Sequence, residues 1–250
     1  MARLIVSMVL LLSTSGAYAD ELPWMQALPF ESATIEFKQT AKASGGKRLL
    51  HDGVRVLYIA DYGRMRAEYV DVVMYPLPGS SVSKREATIT TQDHVYTIDY
   101  ENGVVNQQDN FVKYYQREYA RLSTAQKRVF VDNYLKAREL REGAKGDIIR
   151  VEHLGHVCKQ WVKNEFLECT LDKTDIALIS ANTRPDAWRE VATSIQIGIV
   201  DQSRFNLPEG FEIKANAEAD RIVERNIQRF VKNLLAGNIS LAPTLPGGFR

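Results

Sequence analysis

Two cysteines, Cys158 and Cys169, stand eleven positions apart in GHVCKQWVKNEFLECTLD, and three chemistries suit such a pair: metal ligation, redox exchange or a covalent staple. Redox exchange of the thioredoxin kind uses Cys-x-x-Cys, which this is not. For a metal, Glu152, His153, His156 and Cys158 are close in sequence, but the gap between the cysteines lacks the short spacing of a zinc knuckle. In a strand, His153 also points away from the face that His156 and Cys158 share. The staple fits better. If residues 156–162 and 165–171 pair antiparallel about a Lys163-Asn164 turn, Cys158 falls opposite Cys169 and Trp161 opposite Phe166. Directly opposed Cα atoms lie about 4.5 to 5.5 Å apart, within disulfide range. A structural Cys158–Cys169 disulfide is expected, with no metal and no cofactor.

Other reactive constellations are absent from the sequence. There is no Ser-nucleophile elbow, phosphate loop, HExxH or dinucleotide glycine motif, and the histidines at 51, 94, 153 and 156 form no evident acid–base set. Asp61, Asp71 and Asp99 sit where strands end, which is ordinary turn chemistry. The expectation is a protein that is not an enzyme.

A disulfide needs an oxidising compartment, and the N-terminus supplies the route. MARLIVSMVLLLSTSGAYAD has a basic residue, a short apolar run and Ala17-Tyr18-Ala19 before Asp20, so residues 1–19 read as a signal peptide cleaved after Ala19. No stretch reaches the roughly 20 apolar residues of a membrane-spanning helix. A bacterial periplasm is the expected location. Removing Arg3 from 32 basic residues leaves 31 against 31 acidic ones. That balance, with no basic run, offers no footprint for nucleic acid or for an anionic membrane surface.

The elements that position these residues follow from periodicity. SATIEFKQTA alternates with Ala33, Ile35 and Phe37 on one face, and GVRVLYIADYG, RMRAEYV, ATITT and HVYTID read as further strands of a meander. MYPLPGSSVSKR reads as a loop, and Asn102-Gly103 as a tight turn. From Phe111 the period becomes helical. Phe111, Tyr115, Tyr119 and Leu122 form one stripe, and Phe130, Tyr134, Ala137 and Leu140 another, with a Ser123/Gln126 capping box between them and Gly143 as the stop. DIIRVEH, the cysteine hairpin, DIALISA and WREVATSIQIGIV return to strand, the last with Val191, Thr193, Ile195, Ile197 and Ile199 on one face. Turns at Leu207-Pro208 and Glu209-Gly210 then lead to a final helix. A single domain is expected over 20–236, with a helical insertion at 111–142, a C-terminal helix at 215–236 and a disordered tail at 237–250.

The order ATIEFKQT, GVRVLYIADYGRMRAEY, HVYTID, a GxxCxxW hairpin closing on LEC, SIQIGIV and FNLPEGFEI resembles the periplasmic lipoprotein-carrier superfamily, the outer-membrane lipoprotein sorting proteins and their relatives. The likeness covers about residues 32–213, and the disulfide hairpin is nearest to the less characterised relatives. It implies an α+β fold: a strongly curved antiparallel sheet, an incomplete barrel, covered on its concave side by helices. Such a trough would hold an acyl chain, since each buried methylene stabilises binding by about 0.8 kcal/mol. On that reading the protein is a soluble carrier or sensor of a hydrophobic, lipid-like ligand walled by Leu57, Ile59, Tyr69, Tyr96, Ile98, Ile195 and Ile197. The alternative is a non-catalytic accessory subunit that binds an envelope protein through its helices, with Tyr114, Tyr115 and Tyr119 exposed.

Overall fold

Runs rich in Val, Ile and Tyr, punctuated by Gly and Asp, form strands here as expected. The computed structural model describes residues 27–43, 48–184 and 187–239. The expected signal peptide and most of the expected tail lie outside the described residues. An antiparallel meander comes first: β1 (Ala33–Lys42), β2 (Leu49–Ala60), β3 (Met65–Met74), β4 (Val82–Thr90), β5 (His94–Asp99) and β6 (Val104–Asp109). Two helices follow, α1 (Phe111–Ala120) and α2 (Thr124–Gly143). The chain returns as β7 (Ile149–His153), β8 (His156–Lys163), β9 (Phe166–Leu171), β10 (Ala177–Asn182) and β11 (Arg189–Ile197), and ends in β12 (Glu212–Ala215) and α3 (Ala217–Leu235).

All twelve strands join one sheet in the order β12-β6-β5-β4-β3-β2-β1-β11-β10-β9-β8-β7. This corrects the expected architecture. The sheet is mixed, because β12 pairs parallel with β6 while every other ladder is antiparallel. As an incomplete barrel requires, it is not closed: among the described residues β12 and β7 are its end strands. The helices do not roof it. α1 and α2 pack against α3, and α3 meets the sheet at β6. Tyr114, Tyr115, Phe130, Ile227, Phe230 and Leu234 form a core of helix residues alone, with edge-on ring pairs at 5.6 Å (Tyr115–Phe230) and 6.2 Å (Phe130–Phe230). Each helix turns its apolar stripe toward the other helices, so none is left to cover a sheet face.

The sheet carries two further cores, on opposite faces. Directly opposed residues of an antiparallel ladder share a face. Ile35 opposes Leu57, which opposes Glu68, which opposes Thr88. The other face therefore holds Tyr58, Ala67, Ile89 and Tyr96 in one row, and Tyr69, Ala87, Ile98 and Val105 in the next. Around β1, β2 and the cysteine hairpin the buried set is Ile35, Phe37, Leu57, Ile59, Cys158 and Cys169. From β3 to β6 it is Ala67, Ala87, Ile89, Ile98 and Val105, covered by Phe205 and its neighbours. The apolar stripe changes sides at the β2–β3 ladder. The buried stripe therefore does not run along a single face of the whole sheet.

Three local features differ from expectation for physical reasons. In β11 the register slips so that Glu36 faces Ser194 while Phe37 faces Ala192, which leaves Thr193 as a bulge. The bulge reverses parity, so buried Glu190 and Ala192 share the face of Ile195. β4 begins at Val82, inside the expected loop: its first residues pair with β3 but are exposed on both faces, so no alternation marks them as strand. β6 and β12 were not foreseen; β12 is wholly exposed and held by its ladder to β6 rather than by burial.

Candidate functional site: an aromatic and arginine-bearing sheet face

The seven residues expected to wall one ligand divide between two surfaces. Leu57, Ile59, Ile195 and Ile197 lie on the face of Ile35, whereas Tyr69, Tyr96 and Ile98 lie on the face of Ala87. Leu57 and Ile59 are buried in the hairpin-side core, Ile98 in the other, Ile195 is half-buried and Ile197 is exposed. Among the tyrosines expected at a docking surface, Tyr114 and Tyr115 are only 7% and 3% exposed. They belong to the helix core, and burial raises both phenol pKa values.

The cysteine hairpin is stapled, but not in the expected register. Asn164 and Glu165, both with positive φ, form the two-residue turn, so Lys163 opposes Phe166. Cys158 then opposes Leu171 and Cys169 opposes Gln160. The disulfide joins a diagonal pair whose Cα atoms are 5.5 Å apart, and both cysteines are fully buried. Strand twist shortens one diagonal of a ladder, which makes this pairing possible. Trp161 and Phe166 still touch, with ring centroids 5.6 Å apart. His153 Nε2 donates to the Ala192 carbonyl at 2.8 Å, and no group of three or more His, Cys, Asp or Glu suited to a metal occurs among the described residues.

On the face of Ala87, half-buried rings gather beneath the segment 198–211. Tyr58 and Tyr69 meet edge to face at 5.8 Å, and the Arg204 guanidinium stands 5.5 Å from the first ring and 5.9 Å from the second. Arg204 is positioned from two sides: its carbonyl accepts the Tyr69 hydroxyl at 2.7 Å, and its Nε donates to Asp201 Oδ2 at 3.1 Å. Asp201 also caps the 3-10 turn Gln202–Phe205, accepting from Ser203. Those hydrogen bonds from Ser203 hold the Asp201 carboxyl below its ordinary range. Burial, with nearby Tyr100 adding to it, raises the Tyr69 phenol pKa, so its hydroxyl stays a neutral donor. Farther along, Tyr100 meets Phe211 at 5.8 Å and lies 4.7 Å below the Arg85 guanidinium, while His94 borders Tyr96 at 5.6 Å. Aromatic planes and ordered guanidinium groups bind by stacking, cation–π contact and hydrogen bonding.

A second polar constellation escaped sequence reasoning. Arg55 donates from Nε and Nη2 to Glu190 at 2.9 and 2.7 Å, reaches Glu68 at 3.1 Å, and stacks 3.8 Å above the Phe37 ring. Gln39 donates to Glu190 and approaches His51 Nε2 at 3.1 Å. Gly53 leaves room for it: a Cβ there would lie 3.0 Å from the Asp71 carbonyl oxygen and 3.2 Å from Gln39 Oε1. Burial lowers the His51 pKa, against the opposing pull of Asp52. The signal was present in β1, where the face of Ala33, Ile35 and Phe37 continues to Gln39. These groups satisfy one another within the fold, so the cluster reads as structural.

No family model matches the chain, and no curated protein is significantly similar to it. Among solved structures, an uncharacterized conserved protein from Thermus thermophilus aligns over 75% of this chain and 92% of its own, with a TM-score of 0.40 and 7% identity. The PNGF-II structure aligns over 79% of this chain but 33% of its own, with a TM-score of 0.32 and 10% identity. Likeness at this level carries no functional conclusion.

Proposed function

We propose that the protein is a non-catalytic binding protein of the bacterial cell envelope that docks a protein partner on the Tyr58/Tyr69/Tyr96/Tyr100 face. The observation that carries this reading is Arg204, ordered by Asp201 over two tyrosine rings on a half-exposed surface. Tyr and Arg are enriched at the energetic centres of protein interfaces, and an Arg already held by Asp201 has less freedom to lose on binding. The buried disulfide is compatible with an oxidising compartment, where such bonds persist. A lipid-like ligand is the less favoured reading: the aliphatic residues that would wall it are divided between two faces, and Leu57, Ile59 and Ile98 already pack against protein neighbours. The likeness of GHVCKQWVKNEFLEC and FNLPEGFEI to lipoprotein-carrier proteins fits an envelope role without specifying the ligand.

The test is native mass spectrometry of the protein purified from its host, alongside its Arg204→Glu variant. A stoichiometric protein adduct, lost in Arg204→Glu while circular dichroism is unchanged, supports the reading. A lipid adduct, or a protein adduct indifferent to Arg204, overturns it.

A further inference from the structure

The end strand β7 has a sequence that is its own complement. β7 pairs with β8 on one side, and no backbone hydrogen bond joins its outer edge to another described residue. The strand and its approach are open to solvent: Ile148, Ile149 and Leu154 are 40, 53 and 45% exposed, and the Arg150 side chain 69%. An exposed edge of this kind is a template for another strand, and natural sheets usually blunt it.

Laying a second β7 antiparallel along that edge, with the two Val151 residues opposed on a two-fold axis, sets Arg150 of each copy opposite Glu152 of the other. The same register places Ile149 of each copy beside His153 of the other. Each charge of the strand then meets its opposite, twice, with Arg150 placed between Glu152 of the other copy and Asp172 of its own chain, which it reaches at 3.6 Å. Opposed charges stabilise a cross-strand pair and like charges destabilise it. A two-fold interface requires a patch that complements itself, and this strand meets that requirement without any second surface.

We infer that the protein forms a two-fold dimer by β7–β7 pairing, which joins two sheets through their hairpin ends and leaves the aromatic face of each copy unused. This inference does not depend on the partner proposed above. Sedimentation velocity of the full chain over a dilution series tests it with Arg150→Glu, Glu152→Arg and the double exchange. Both positions are exposed, and circular dichroism checks that each variant folds. The wild type is expected to be a reversible dimer, each single reversal to weaken association about tenfold or more through facing like charges, and the double exchange to restore it. A monomeric wild type, a dimer insensitive to either reversal, or a double exchange no better than the singles would each overturn the pairing.

Discussion

Arg55 and Glu190 face each other across two ladders of the sheet and are locked by paired hydrogen bonds of 2.7 and 2.9 Å, with side chains only 13 and 11% exposed. Removing one member of a buried ion pair leaves the other charge uncompensated, which costs more than the pair itself contributes. Glu190→Ala is expected to lower the unfolding free energy by about 3 kcal/mol, read from the midpoint of urea denaturation. Replacing both partners with apolar residues, Arg55→Met with Glu190→Leu, should recover most of that loss. A single variant as stable as wild type would show that Glu68 holds Arg55 without Glu190.

The Cys158–Cys169 bond closes a short loop and lies inside the hairpin-side core. On the chain-entropy account such a loop stabilises by about 3 kcal/mol. Replacing both cysteines with Ser should reduce stability by that order, and reductant should have a comparable effect on the wild type. A double variant with unchanged thermal midpoint would make the staple energetically silent.

Gly53 is required by space rather than by backbone angle. A Cβ would press on the Asp71 carbonyl oxygen at 3.0 Å and on Val72 Cβ at 3.1 Å, neither of them the end of a flexible side chain. Gly53→Ala is expected to destabilise by about 1 to 3 kcal/mol through overpacking, and to displace Gln39 from its place beside Glu190. Chemical denaturation measures the first effect, and a crystal structure of the variant the second.

Asp109 should shape the acid limb of the stability curve. Burial opposes its ionisation, but hydrogen bonds from Lys113 and Tyr114, each at 3.0 Å, together with nearby His94, hold the carboxyl below its ordinary range. A carboxyl whose pKa is depressed by folding adds stability above the unfolded value of about 3.9. That contribution is lost as pH falls through the folded value. Asp109→Asn should therefore lie below wild type at neutral pH and converge with it in strong acid, as followed by urea midpoints against pH. Parallel curves would remove Asp109 from the acid response.

Local signals read well where one residue's burial depends on its near neighbours. The capping box of Ser123 and Gln126 forms as the spacing predicts, with Ser123 accepting from Gln126 and the Gln126 side chain accepting from Ser123. The face of Ala33, Ile35 and Phe37 is buried as its alternation requires. Gly237, at φ 78°, lies just beyond the final helix. What alternation could not reveal is where a ladder slips. The bulge at Thr193 exchanges the faces of β11, and the turn at Asn164-Glu165 moves the cysteines from opposition to a diagonal.

The sequence by itself determined the kind of most elements and the union of the two cysteines, because helical period, strand period and a short hairpin are properties of neighbouring residues. Only the tertiary structure decided that the apolar stripe crosses from one face to the other at the β2–β3 ladder, that the helices pack on one another, and that β12 joins parallel to β6. Those outcomes rest on register between distant strands, and a shift of one residue reverses every side chain of a strand without altering its composition.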